Sequence, residues 1–170
     1  MELLQRFVRG DLEAFEVLFR QHQEEVYRWI IRIVRDRGAA EDVTIETFWR
    51  IWRAHARFDP ERSFGAWTRR IATHAALDHL KKSRPSEPLS PAVAAPAAPD
   101  SALAREQRER LARAFGELPA RLKVVAVLAL VEERPYAEIS EAVGISEGGV
   151  KSRVFRAVRI LRGKLARDKP

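Results

Sequence analysis

Cysteine is absent from the 170 residues. A disulfide framework, a thiolate metal site and a thiol redox switch are thereby excluded. Long hydrophobic runs are absent too. The longest apolar stretch, Val124 to Val131, is far too short to cross a bilayer. The opening MELLQRFVRGD has no apolar core of the kind a secretory signal needs, so a cytoplasmic protein is expected. No β-period alternation of useful length occurs, no internal repeat, and neither a Walker loop nor a dinucleotide fingerprint. The four histidines, His22, His55, His74 and His79, fall on different helical segments or faces, and His74 with Asp78 is an isolated i, i+4 pair. The expectation is a non-enzyme with no catalytic set, no metal, no cofactor and no small-molecule substrate.

Positive charge is plentiful. The formal net charge is +7, from 31 basic and 24 acidic side chains, which favours a polyanionic partner. Residues 1–84 hold 16 basic and 13 acidic side chains, residues 85–104 only Glu87 and Asp100, and residues 105–170 hold 15 and 9. Within the last part, residues 150–170 carry 8 basic side chains against Asp168 alone, so the field is concentrated at the C-terminal end.

The chain reads as all-α: two small helical domains, 1–84 and 105–170, joined by a Pro/Ala-rich linker at 85–104. The linker's core, PSEPLSPAVAAPAAP from Pro85 to Pro99, is two-thirds Pro and Ala, and proline both fixes φ and removes a backbone donor. In the first domain, Leu12, Phe15, Leu18, Phe19, Val26, Trp29, Ile30 and Ile33 recur at helical spacing after Gly10-Asp11, and Gly38 suits the stop. A second helix is expected over about 40–57, with Val43, Phe48, Ile51 and Trp52 inward. After the turn-rich Phe58-Asp59-Pro60-Glu61-Arg62, Ser63 can cap a third helix reaching Lys82, with Phe64, Trp67, Ile71 and Ala75 inward. Trp52 and Trp67 are assigned to the core, although their interleaving with arginines would also suit single-stranded DNA. In the second domain, Asp100 or Ser101 can cap a helix to Phe115, and Pro119 suits the start of another, carrying LKVVAVLALV.

The segment YAEISEAVGISEGGVKSRVFRAVRILRGKL carries the strongest motif. Ile139 and Val143 mark the apolar side of a short helix, Gly144 sits where a turn needs a permissive backbone, Ile145 packs into the corner and Ser146 can cap a second helix. There Val150, Val154, Ala157, Val158, Leu161 and Leu165 form one stripe. Lys151, Ser152, Phe155, Arg156 and Arg159 lie opposite. A helix that enters the major groove needs this pairing of a docking stripe with a polar, cationic face. The bland alternative is an amphipathic helix with a wet basic face.

LPARLKVVAVLALVEERPYAEISEAVGISEGGVKSRVFRAVRILRGKL resembles region four of an extracytoplasmic-function sigma factor. AFEVLFRQHQEEVYRWIIRIVRD and AEDVTIETFWRIWRAHARFDPERSFGAWTRRIATHAALDHLKK resemble region two, in the right order and spacing. The resemblance implies a transcription initiation subunit that binds bacterial core RNA polymerase and directs it to two-part promoters. Region four would read the minus-thirty-five element as duplex through Lys151, Ser152, Arg153, Phe155, Arg156 and Arg159, and would meet the flap region of the second-largest subunit. Region two would engage the minus-ten element as single strand through Phe58, Arg62, Ser63, Arg70, Thr73, His74 and Asp78. Its Asp42, Ile45, Glu46 and Trp49 would meet the clamp coiled coil of the largest subunit. Asp42 and Glu46 also fit ordinary helix-surface acids, and Phe58 and Phe64 also fit plain core residues. Three positions depart from the family pattern: Ile45 where Gln is usual, His74 where Asn is common, and Gly149 where Thr or Ala follows one glycine. Family members are commonly held by an anti-sigma protein, often in the membrane.

Two other readings remain. A dimeric helix-turn-helix regulator explains residues 120–165 but leaves 1–84 without a task. A DNA-acting enzyme with a C-terminal reader needs a nucleophile or a carboxylate cluster in the first domain.

Overall fold

The computed structural model describes residues 1–83 and 101–167. The Pro85–Pro99 linker lies outside the described residues. Within them the chain is helical, with no strand: α1 (Glu2–Val8), α2 (Leu12–Val34), α3 (Arg37–Arg53), α4 (Phe64–Lys82), α5 (Ala102–Gly116), α6 (Ala120–Ala126), α7 (Tyr136–Val143) and α8 (Glu147–Arg167). A 3₁₀ turn, His55–Arg57, follows α3, and a π-helical turn, Val127–Val131, extends α6.

Helix α1 was not expected from the sequence, yet it delivers Phe7, which is wholly buried. The Phe7 ring lies 5.5 Å from that of Phe64 and 6.3 Å from those of Phe58 and Trp67. Asp11 fixes the α1–α2 corner. Its Oδ1 accepts from the Glu13 and Ala14 amides, at 2.9 and 3.2 Å, and its Oδ2 accepts from Arg6 Nε at 2.7 Å. The Arg6 guanidinium and these amides hold the Asp11 carboxyl below the usual carboxylate range. Phe7→Ala should cost about 3–5 kcal/mol, as emptied aromatic sites do, with the loss read from denaturant unfolding.

The boundaries in the first domain correct the sequence reading. Helix α2 stops at Arg35, in the left-handed region at φ 61°, and not at Gly38. Asp36 then caps α3, its Oδ1 accepting from the Ala39 amide at 2.7 Å, so Gly38 lies inside the new helix's first turn. Leu12, expected inward, is 58% exposed. Ser63 caps α4 as expected, accepting from the Ala66 amide. Helices α2, α3 and α4 pack on one another around Ile30, Ile33, Val43, Ile51 and Ala72.

In the second domain Ser101 caps α5, which therefore begins inside the 85–104 stretch. Gly144 ends α7 at φ 78°, and Ser146 Oγ accepts from the Gly149 amide at 3.0 Å at the start of α8. Gly149 has a packing reason: a Cβ there would sit 3.3 Å from Ser146 Oγ and 3.6 Å from Ile145, crowding the cap. Val150, Val154, Ala157 and Leu161 form the buried stripe of α8, as the spacing predicts.

The two domains share their apolar core. Val124, Val125, Leu128, Ile139, Ala142, Val143, Val150 and Val154 belong to the same cluster as Trp29, Ile30 and Ala72. A smaller cluster, Phe115, Leu118, Val127, Ala157 and Leu161 among its members, ties α5 and α6 to α8. Helix α4 meets both α6 and α7.

Candidate nucleic-acid interface

Helix α8 presents its polar side outward because its apolar stripe is fully engaged. Lys151, Ser152, Arg156 and Arg159 are exposed, and Phe155 is 70% exposed. Among the described residues no carboxylate pairs with Lys151, Arg156 or Arg159. Their charge is therefore available to an outside polyanion. An exposed phenyl ring among three cations adds an apolar surface for a thymine methyl or a sugar. Arg153 is different: it is half-buried and lines a crevice with His74 and Leu77 of α4, Arg121 and Val124 of α6 and Val143 of α7.

The face of α4 is divided. Arg70 and His74 are exposed. Thr73 is 1% exposed; its hydroxyl accepts from Trp29 Nε1 at 2.8 Å and donates to the Arg69 carbonyl at 2.7 Å. In this structure Thr73 is a structural partner of Trp29, with its hydroxyl engaged both as acceptor and as donor. Asp78 accepts from Arg50 Nη1 at 2.9 Å, so its carboxylate is already engaged.

The loop before α4 borders an open cavity of about 580 Å³, within the range of small-ligand sites, about 300–1,000 Å³. Its walls include Arg57, Asp59 and Arg62 of the loop, Trp67 and Arg70 of α4, and Glu141 of α7. Ser63 borders it with its hydroxyl committed to the cap. Phe58 also lines it, but is only 4% exposed and packs on Phe7, Phe64 and Trp67, so its ring belongs to the aromatic core. Of the loop's expected contacts, Arg62 pairs with Asp59 at 3.5 Å, and at 82% side-chain exposure its guanidinium stays open to solvent.

Helix α3 carries a third surface. Asp42, Ile45, Glu46 and Trp49 share one exposed stripe, with Ile45 70% and Trp49 55% exposed. Arg50 borders it. Its guanidinium donates to Glu46 at 2.9 Å and to Asp78 at 2.9 Å, and those carboxylates hold it firmly charged. The stripe combines two large apolar side chains with two acids, a composition suited to a basic helical partner.

Sequence reasoning missed a seam of polar residues between the domains: Glu25, Trp29, Arg69, Glu132, Arg134 and Glu138. Taken singly they are an aromatic and an acid on α2, charged positions on α4 and α7, and two more in the segment before α7, and only the packing brings them together. Among the described residues no group of three or more His, Asp or Glu side chains could hold a metal ion, and no helix is long and apolar enough to cross a membrane.

A family model described as Sigma-70 region 2 matches residues 18–85, and one described as Sigma-70, region 4 matches residues 108–161. The ECF RNA polymerase sigma factor BldN of Streptomyces coelicolor is 33% identical over 175 residues, which cover 99% of this chain and 66% of BldN. The RNA polymerase sigma factor CarQ of Myxococcus xanthus is 33% identical over 166 residues, covering 94% of this chain and 93% of CarQ. Among solved structures, CnrH in complex with the cytosolic domain of CnrY matches with a TM-score of 0.61 at 25% identity, over 98% of this chain and 97% of that one.

Proposed function

The chain belongs to the sigma-70 family of RNA polymerase sigma factors, in its extracytoplasmic-function branch, and from that premise we propose a division of labour among its surfaces in promoter-specific initiation. Helix α8 reads the minus-thirty-five element as duplex, with Arg156 and Lys151 donating to guanine edges or phosphates and Phe155 packing on a thymine methyl or sugar. Arg70, His74 and Arg62 engage the displaced strand of the minus-ten element, and the adjoining cavity takes an unstacked base at a cost of a few kcal/mol. Asp42, Ile45, Glu46 and Trp49 dock on the clamp coiled coil of core polymerase, and region four meets the flap region. The observation that carries this reading is the outer face of α8, where cations with no carboxylate partner among the described residues surround an exposed ring on a helix whose opposite side buries Val150, Val154, Ala157 and Leu161. An anti-sigma protein is a fitting further partner, since CnrH, whose fold this chain shares, is solved with the cytosolic domain of CnrY.

Run-off transcription with purified bacterial core polymerase tests the reading. Adding the protein should convert non-specific background into discrete transcripts from cognate promoters, and the free protein should bind the same DNA weakly. Tight, sequence-specific duplex binding without polymerase, and no stimulated transcript, would instead indicate a self-sufficient regulator.

A further inference from the structure

Arg50 stands where two assigned surfaces meet. It borders the acidic and apolar stripe of α3, and its guanidinium reaches across to α4. Nε donates to Glu46 Oε1 at 2.9 Å, and Nη1 donates to Asp78 Oδ2 at 2.9 Å. The backbone at both ends is firmly seated: Ile51, next to Arg50, and Ala75 and Ala76, shortly before Asp78, are at most 3% exposed. The side chains themselves stay partly in water, at 33% for Arg50, 51% for Glu46 and 44% for Asp78.

The bridge differs from an ordinary surface pair. Glu46 and Arg50 alone would be an i, i+4 pair on one helix, which contributes little because both side chains must be ordered to make it. Asp78 supplies a second anchor from a different helix, so the plane of the guanidinium is fixed at two nitrogens. Glu46 is thereby held through Oε1, and its Oε2 carries no hydrogen bond among the described residues. Asp42 lies one turn earlier on the same exposed stripe. A cation of a partner helix that arrives between the two acids meets a carboxylate whose orientation is already set. Without Asp78 the guanidinium is free to turn an edge onto both Glu46 oxygens, the fork geometry that arginine and carboxylate favour.

We propose that Asp78 and Arg50 are positioning residues of the polymerase-docking stripe: Asp78 fixes the Arg50 guanidinium, and Arg50 in turn presents Glu46, with one oxygen open, to a basic group of core polymerase. This rests on the assignment of α3 to polymerase. It moves Asp78 from the base-reading face of α4 to the support of α3. A carboxylate reads a base by accepting from cytosine N4, and this carboxylate accepts from Arg50 instead. The pairing also offsets a negative charge that would otherwise face the phosphates of the displaced strand.

A double-mutant cycle on the full chain tests this, with core polymerase titrated against a dye at Arg162→Cys, an exposed position and then the only thiol in the chain. Asp78→Ala should weaken polymerase binding about three- to tenfold, as the ordering of one long side chain on binding commonly does. Glu46→Ala should weaken it about tenfold or more. In the Glu46→Ala background, Asp78→Ala should cost nothing further, since nothing is left to position. A purely structural role, or a damaged fold, would carry the Asp78→Ala cost into both backgrounds, and such additivity overturns the proposal. So does either single variant that binds like the original chain. Transcription at saturating holoenzyme, on promoters with single minus-ten changes, gives a second readout. The ranking of promoters should be the same with Asp78→Ala as with the original, and a ranking altered at one base returns Asp78 to the DNA. The underlying reading is judged separately by the chain carrying Ile45→Asp and Trp49→Ala. Undiminished polymerase binding there removes α3 from the interface, whereas a loss there, with additive Asp78 and Glu46 costs, overturns the positioning alone.

Discussion

Replacing Ile45 by aspartate and Trp49 by alanine in one chain is expected to abolish capture of core polymerase while the fold survives. Both side chains are exposed, at 70% and 55%, and neither belongs to the buried core. Substitutions at such positions usually change stability by no more than about 0.5 kcal/mol. The situation reverses on binding. A tryptophan buried at an interface commonly costs about 2–4 kcal/mol when truncated, which is about 30- to 1,000-fold in Kd. The new aspartate adds a third acid beside Asp42 and Glu46, so the replacement also adds repulsion within the stripe. Fluorescence anisotropy against core polymerase should show the loss, and thermal unfolding should show none. Equal affinity for the variant and the original chain would remove α3 from the polymerase interface. Ile45 itself sharpens the expectation: it offers an apolar side chain at 70% exposure, so the proposed contact would rest on burial and not on hydrogen bonding.

The parts of this molecule that were legible in its sequence are those whose causes are local. Ser63, Ser101 and Ser146 each accept from an amide in the first turn of the helix they precede, a side-chain-to-backbone effect that needs no tertiary information. Gly144 takes the left-handed backbone that the turn between α7 and α8 requires. The stripe Val150, Val154, Ala157 and Leu161 follows from 3.6-residue periodicity. Helix α1 was hidden because seven residues span only about two turns, too few for a period to show. Its one buried ring, Phe7, matters through contacts with α2, α4 and the loop at Phe58. The end of α2 was misplaced because a glycine looked like the natural stop, whereas Arg35 adopts the left-handed backbone and Asp36 caps α3 directly after it.

The site residues divide along the same line. The outer face of α8 and the stripe on α3 could be read by counting along a helix. Thr73 could not. It stands about 60° around α4 from Arg70, at 100° per residue, toward the side that packs, and Trp29 of another helix takes up its hydroxyl. Phe58, for which a core position was one of two readings, closes over the aromatic core. The seam around Trp29 depends wholly on how the two domains meet, and periodicity specifies that a face is buried without specifying what buries it.

The second large effect is expected on α8, where base reading and phosphate binding should come apart. Arg156→Ala should remove about 1–3 kcal/mol of discrimination at one base pair of the upstream element, about five- to 150-fold in promoter choice. Phe155→Ala should lose preference wherever a thymine methyl is packed against the ring. Lys151→Ala, if its ammonium sits on phosphate, should instead weaken all promoters alike and lower the salt slope of binding by about one. None of the three should unfold the protein, because all are exposed and the stripe that seats α8 lies on its opposite side. The measurement is transcription by the reconstituted holoenzyme on promoters carrying single changes in the upstream element, repeated at two salt concentrations. A uniform loss for Arg156→Ala, with the ranking of promoters preserved, would assign Arg156 to the backbone and leave base readout to its neighbours. A changed ranking places its fork against a base edge, since only contacts with bases and not with phosphates carry sequence information directly.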